Sequence, residues 1–141
     1  MALRNFADVT VGEELPERTF ELTRGDLVNY AGVTGDPNPI HWSDHIVKLA
    51  GMEDVVAQGM LTMSLGSNYI TEWLGDPGAL KEYSVRFTAP VFVPADQKAE
   101  LLYSGKIKSL DEETKTGVVF LTVKQGERKI FGKPVATVQF A

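Results

Sequence analysis

An aspartate and a histidine lie five residues apart in the segment 35–41, whose sequence is GDPNPIH. Its two prolines fix their own backbone angles and keep the residues before them out of the helical region. The segment is therefore predicted to be a stiff loop that holds the Asp36 carboxylate and the His41 imidazole at a nearly fixed separation. Positioned acid–base catalysis needs this arrangement. On spacing alone an alternative stays open, in which Asp36 forms a turn and His41 is a packed, hydrogen-bonded residue.

A second candidate feature is a helix that begins at Gly59, in the stretch 55–61 (VVAQGML). The first N–H groups of a helix have no partner inside it, and the helix dipole makes this end electropositive. Such an end can hold a carbonyl oxygen that gains negative charge during a reaction. The alternative is that Gly59 only permits close packing of the helix on a sheet. Two turns further on, the Ser67 hydroxyl is a candidate for orienting Asp36 or His41, or it bonds to its own backbone.

The elements that must position these residues follow from the hydrophobic pattern. Thr23, with Asp26 three residues later, predicts the start of a helix that runs through residue 31, and Ser43 predicts a short helix that ends near Gly51. Residues 58–73 are apolar on most faces, which predicts a long helix buried on more than one side. Strands are predicted at residues 18–22, 82–88, 99–109, 117–124 and 129–140, with hairpin loops at 111–117 and 125–128. These elements predict an α+β fold in which an antiparallel sheet of about five strands wraps around the long helix. Strand faces left apolar beyond that packing favour dimerisation.

Composition restricts the class of protein. The chain has 141 residues, a net charge of −5 and a pI near 5.0, which predicts one domain over residues 1–141 and argues against a nucleic-acid partner. The absence of cysteine excludes disulfides, iron–sulfur clusters and thiol nucleophiles and fits a cytoplasmic location. The sequence predicts no secretory signal and no membrane span. We expect no metal site, because His41 lies before the helix that carries His45, and no cofactor, because no glycine-rich nucleotide motif is present.

The segment 35–41 closely resembles the signature of the (R)-specific enoyl-thioester hydratases of the MaoC-like, hot-dog-fold family. Residues 56–61 are similar to that family's second motif, and the resemblance extends over nearly the whole chain. Residues 1–4, 27–32, 40–42 and 129–132 resemble one branch, the B subunit of actinobacterial (3R)-hydroxyacyl-acyl-carrier-protein dehydratase. The resemblance implies a hot-dog fold that pairs into a double hot dog. It also implies that Asp36 and His41 form the catalytic dyad and that the Gly59 amide holds the thioester carbonyl.

The activity implied by this resemblance is that of a (3R)-hydroxyacyl-thioester dehydratase, equivalently an (R)-enoyl-thioester hydratase, acting on acyl carrier protein or coenzyme A thioesters. Asn38, Gln58 and Ser67 then join Gly59 as candidates for substrate binding. The implied partner is a second copy of the chain or a related, catalytically inert hot-dog subunit. Position 58 is often histidine in this branch, and the glutamine found here can form hydrogen bonds but cannot titrate near neutral pH.

Two other functions remain alternatives at this stage. The chain fits a non-catalytic acyl-binding or scaffold subunit of a hot-dog heterodimer, in which Asp36 and His41 serve only structure. It also fits a hot-dog thioesterase, which would need a carboxylate on or near the central helix. For that role the sequence offers only Glu72, Glu53 and Asp54.

Overall fold

The structure, a computed structural model, describes residues 2–141 and consists of a six-stranded antiparallel sheet and three α-helices. The strands are β1 (Glu14–Leu22), β2 (Leu80–Phe87), β3 (Ala99–Asp111), β4 (Thr116–Gln125), β5 (Arg128–Lys129) and β6 (Phe131–Gln139). Their order is β1-β3-β4-β6-β2, and the short β5 pairs with β4. The α-helices are α1 (Arg24–Thr34), α2 (Asp44–Leu49) and α3 (Gly59–Leu74), with 3-10 turns at Phe6–Asp8, Pro39–His41 and Pro77–Ala79. The predicted α+β architecture is confirmed.

Local signals predicted the starts of the helices that flank the site. Thr23 and Asp26 form a reciprocal capping box at the start of α1, with the Asp26 carboxylate 2.7 Å from the Thr23 N–H. The Ser43 hydroxyl accepts a hydrogen bond from the Ile46 N–H at the start of α2. Both caps satisfy backbone donors that the helices leave free, so the two helices begin where the sequence predicted.

Two strands differ from the prediction. β1 begins at Glu14 rather than at residue 18, and its pairing with β3 shifts between Leu15 and Arg18. Pro16 lies inside that shift and has no N–H to donate to β3. The polar–apolar alternation is interrupted there, so the sequence pattern did not extend the strand back to Glu14. The strand predicted at 129–140 is divided at Ile130, whose N–H bonds to Val123 O. This division accounts for the sixth strand.

Helix α3 packs one face against the sheet and leaves one stripe exposed. The Tyr103 hydroxyl of β3 donates a hydrogen bond to the Thr62 carbonyl of α3 at 2.6 Å. The exposed residues recur every four positions, at Met60, Ser64, Asn68 and Glu72. The helix is therefore buried toward the sheet, while a mainly polar stripe faces away from it in the single chain. Within residues 2–141, every helix is too short or too polar to cross a bilayer.

Helix α3 lies very close to the sheet at Gly66. A β-carbon at this position would overlap the Tyr83 hydroxyl of β2. That hydroxyl is buried and has no hydrogen-bond partner among the described residues. Burial also raises the pKa of the Tyr83 phenol, so the group keeps its proton at neutral pH. Glycine at position 66 thus allows the helix to lie directly on an unpaired hydroxyl.

We expect Gly66→Ala to lower the free energy of unfolding by about 1–3 kcal/mol, because the added methyl group overpacks this contact. Tyr83→Phe in the same chain should recover most of the loss, because it removes both the overlapping oxygen and the unpaired hydroxyl. Urea unfolding of both single variants and the double variant, followed by circular dichroism, measures this coupling. Gly32→Ala in α1 is the control, since a β-carbon there meets nothing within 4 Å. An equal loss from Gly66→Ala with tyrosine or phenylalanine at position 83 would contradict the contact.

Candidate active site

The loop between α1 and α2 brings the aspartate and the histidine together. α1 ends at Gly35, whose left-handed backbone (φ 71°) redirects the chain. Asp36 Oδ1 then accepts a hydrogen bond from the Asn38 N–H (3.1 Å), and Asn38 Oδ1 accepts one from the Ile40 N–H (3.2 Å). These successive side-chain caps fold residues 36–41 into a compact turn. As a result, Asp36 Oδ2 lies 3.5 Å from Nε2 of His41.

The His41 ring is oriented by a backbone carbonyl. Its Nδ1 lies 2.6 Å from Val56 O, and the side chain is only 10% exposed. Because a carbonyl oxygen accepts but does not donate, Nδ1 carries a proton, and the neutral ring has its lone pair at Nε2. The distance from Nε2 to the carboxylate is longer than a direct hydrogen bond of about 2.7–3.2 Å. The two groups therefore flank a position that a water or a hydroxyl group can share.

A largely apolar cavity of about 370 Å³ opens beside His41. Its lining comes from the 3-10 turn (Ile40 and His41), the segment before α3 (Val56 and Ala57), the start of α3 (Gly59 and Thr62), and residues 87–91 and 130–131. The Asp36 side chain, whose Oδ2 faces Nε2 of the imidazole, is 40% exposed. The histidine and the beginning of α3 thus share one cavity, whereas Asp36 does not line it and meets the site only through His41.

The start of α3, whose first residue Gly59 lines this cavity, has free N–H groups. Gln58 occupies the N-cap position, but its side chain forms no capping hydrogen bond. Among residues 2–141, no group accepts a hydrogen bond from the N–H of Gly59 or of Met60. The Phe87 ring lies 3.0 Å from where a β-carbon on Gly59 would be, so it walls this end of the cavity. An oxygen that gains negative charge here would face unpaired donors and the positive end of the helix dipole.

The other predicted site residues lie outside this cavity. Asn38 is exposed, and its carbonyl caps the 3-10 turn that carries His41. Gln58 is buried, and its Nε2 donates to Leu27 O at 2.9 Å, which ties α1 to the start of α3. Ser67 is half-buried two turns beyond Gly59, and within residues 2–141 its side chain neither lines the cavity nor bonds to Asp36 or His41. Glu72, a carboxylate considered for thioesterase chemistry, is paired with Arg18 on the exposed stripe of α3.

The sequence interpretation missed two contributors to the site. The acceptor for His41 is the backbone carbonyl of Val56, which leaves no mark in the side-chain pattern. The sequence predicts Phe87, which walls the cavity, only as a residue near the end of a strand. In the structure its side chain is 54% exposed, so the ring is not part of the core. Both contributors depend on where segment 55–57 and the end of β2 lie in the folded chain, which the sequence pattern does not give.

Comparison with known proteins gives one family. Residues 6–125 match the family described as a MaoC like domain. Over 80 residues, the chain is 39% identical to 3-hydroxyacyl-thioester dehydratase X of Mycobacterium tuberculosis, covering 57% of this chain and 28% of that protein. Over 88 residues, it is 35% identical to 3-hydroxybutyryl-CoA dehydratase of Methylorubrum extorquens, covering 61% of this chain and 55% of that protein. The chain therefore spans between about a quarter and just over half of the length of these relatives.

Solved structures share the whole fold. One described as a MaoC-like dehydratase superposes with a TM-score of 0.96 at 53% identity, covering 99% of this chain and 43% of that chain. A C-terminally truncated HadBC (3R-hydroxyacyl-ACP dehydratase) complex from Mycobacterium tuberculosis has a TM-score of 0.70 at 17% identity, covering 91% of this chain and 95% of that chain. The hot-dog fold implied by the sequence motifs is confirmed.

Proposed function

This chain belongs to the MaoC-like family, and on that premise we propose that it is a (3R)-hydroxyacyl-thioester dehydratase, equivalently an (R)-specific enoyl-thioester hydratase. One observation carries the proposal. His41 Nε2 lies 3.5 Å from Asp36 Oδ2, and His41 lines the same cavity as the uncapped start of α3 at Gly59. The names of the relatives, which are hydroxyacyl-thioester and hydroxybutyryl-CoA dehydratases, support this class of reaction.

The dyad would manage the protons of this reaction. In the hydration direction, a water held between Asp36 and His41 gives its oxygen to C3 of the enoyl chain. The C2–C3 π electrons move toward the thioester carbonyl, one water proton passes to the dyad, and the dyad delivers a proton to C2. The reverse sequence removes the C2 proton and protonates the leaving C3 hydroxyl. Both directions need a proton to be taken up and delivered on one side of the chain. Nε2 of His41 and the Asp36 carboxylate both accept protons, and the group that takes up the first proton becomes the donor in the second step.

The start of α3 would stabilise the electron density that reaches the carbonyl. Enolate-like charge on the thioester oxygen is the feature of the transition state that differs most from the substrate. Within residues 2–141 the Gly59 and Met60 N–H groups have no hydrogen-bond partner, so they need not be freed when the substrate binds. Preformed donors of this kind are typically worth about 3 kcal/mol each in the transition state.

The proposed substrate is an acyl thioester of coenzyme A or of acyl carrier protein. The cavity walls contributed by Ile40, Val56, Phe87 and Phe131 suit a hydrocarbon chain, and the only polar side chains in the lining are those of His41, Thr62 and Thr88. Such a site binds the acyl portion by burial of apolar surface. The polar side chains of the lining would then lie beside the thioester carbonyl, C2 and C3, where the reaction takes place.

The proposed partner is a second hot-dog subunit, either another copy of this chain or a related one. β2 is an edge strand of the sheet, and its last residue, Phe87, is exposed at the cavity. Unpaired edges are usually covered in stable proteins. Pairing through β2 would extend the sheet and shield this end of the cavity from water. Two copies of the chain would have twice its mass of 15.5 kDa.

We expect the purified protein to hydrate crotonyl-coenzyme A, followed by the loss of absorbance of the conjugated thioester. A C8 enoyl thioester is assayed alongside, and the mass in solution is determined by light scattering on the same sample. A chiral assay of the product should give the (R)-3-hydroxyacyl thioester. Release of free thiol instead of hydration would point to a thioesterase. Absence of turnover with both substrates, in a sample that forms the expected dimer, would refute the proposal.

A further inference from the structure

We propose that Arg24 is a positioning residue for His41, because it fixes the backbone segment that supplies the acceptor of the imidazole. Arg24 touches neither the cavity nor the dyad. Its effect on turnover rests on the proposed function, whereas its effect on the histidine ring does not.

Arg24 joins three parts of the chain to the first turn of α1. Its Nη2 lies 2.6 Å from Asp54 Oδ1 and 3.0 Å from Asp44 Oδ1, and its Nε donates to Val93 O. The Arg24 side chain is only 20% exposed. A planar guanidinium has five donors in a fixed geometry, so it can satisfy these three acceptors together. A lysine ammonium is a single point charge and cannot replace that arrangement.

The residues bound by Arg24 are hydrogen-bonded to the backbone next to Val56, whose carbonyl accepts from the His41 ring. Asp54 Oδ1 also accepts a hydrogen bond from the Val55 N–H (2.8 Å), and Val55 O accepts one from the Val93 N–H (2.8 Å). Arg24 therefore holds both sides of the short backbone bridge formed by residues 54–57 and 91–93. The next residue, Val56, donates its N–H to Ile40 O at 3.0 Å and accepts from His41 Nδ1 at 2.6 Å. The other carboxylate, that of Asp44, lies three residues after His41.

Loss of the guanidinium would disturb the histidine through this bridge. Asp44 and Asp54 would no longer be separated by a cation, and the Asp54 carboxylate, with a side chain only 27% exposed, would be left without its charge partner. An unpaired, partly buried carboxylate is costly, so the segment is expected to move toward water. The Val56 carbonyl moves with it. Because the hydrogen bond at Nδ1 sets which ring nitrogen carries the proton, Nε2 would then lose its fixed role as proton acceptor.

The experiment compares the wild type with Arg24→Met, Arg24→Lys and Asp44→Asn. The chain has two histidines, so long-range ¹H–¹⁵N spectra of the free protein resolve the His41 ring, with exposed His45 as an internal reference. We expect the proton on Nδ1 in the wild type and a mixture of tautomers in Arg24→Met. In the hydration assay kcat should fall about 10- to 100-fold, the usual effect of losing a residue that orients a functional side chain, with a smaller change in KM. Arg24→Lys should be intermediate.

Asp44→Asn is the matched control, because it removes only the ion pair of Arg24 with Asp44 and keeps the pair with Asp54. The Asp44 side chain is 63% exposed, so its pair is the more exposed of the two. It should keep the wild-type tautomer and a kcat within twofold. An unchanged His41 tautomer in a folded Arg24→Met or Arg24→Lys protein overturns the inference. If Arg24→Met does not fold, Arg24→Lys decides the question by the same spectrum. A wild type without turnover refutes the proposed function, and the spectra still test the role of Arg24.

Discussion

Replacing His41 with alanine is expected to lower kcat/KM for enoyl-thioester hydration by about 100- to 10,000-fold, the usual contribution of a positioned acid–base group. Asp36→Asn should cause a loss of the same order. The amide keeps an oxygen for the Asn38 N–H, so the turn can persist, but it cannot accept a proton from the shared water. The double variant should lose little more than the poorer single variant, because groups that act as a unit are not additive.

The measurement is hydration of crotonyl-coenzyme A at saturating and at low substrate, with circular dichroism to confirm the fold. His45→Ala is the control, because His45 is the other histidine and lies exposed in α2. It should keep full activity. Removing His41 also leaves the Val56 carbonyl without its partner, which costs about 1–3 kcal/mol of stability. His41→Gln, which can retain a donor to that carbonyl, separates this effect from catalysis. Activity above a tenth of wild type in folded Asp36→Asn and His41→Gln proteins would show that Asp36 and His41 serve only structure and that other groups carry the acid–base step.

Local sequence signals were enough to predict the elements that flank the site. The capping box of Thr23 and Asp26, the cap at Ser43 and the change of period after α3 each depend on residues within a few positions of one another. The division of the last strand at Ile130 depends instead on pairing with β4. The exposed stripe of α3 also escaped prediction, because the rotation of a helix on a sheet is set by contacts such as that between Gly66 and Tyr83.

In the candidate site, too, the features set by neighbouring residues could be predicted, and those set by long-range contacts could not. Prolines and an asparagine cap within six residues bring Asp36 to His41, so the spacing alone predicted a compact loop. The acceptor of the ring lies 15 positions away at Val56, and Arg24 reaches Asp54 across 30 positions. Neither contact follows a sequence period. Ser67 is the opposite case, since the sequence placed it on the central helix but its side chain does not line the cavity, so its role stays a prediction.

Gly59→Pro offers a way to remove one backbone donor and little else. Proline is favoured at the first position of a helix, where its missing N–H has no partner inside the helix. It also requires an extended residue before it, and Gln58 already has φ −59° and ψ 130°. The proline ring adds a β-carbon near the Phe87 ring, a contact that alanine at the same position shares. Gly59→Ala therefore keeps the N–H while reproducing this contact.

We expect Gly59→Pro to lower kcat for hydration by about 100- to 1,000-fold, the effect of deleting one donor from an oxyanion site. Gly59→Ala should lose far less, because the Phe87 ring is more than half exposed and can move aside. Both variants are assayed with crotonyl-coenzyme A, and their unfolding in urea should remain close to that of the wild type. Residual activity in the proline variant is expected from the Met60 N–H, which stays free. Equal activities of the proline and alanine variants would place the thioester carbonyl elsewhere, because only the proline variant lacks the donor.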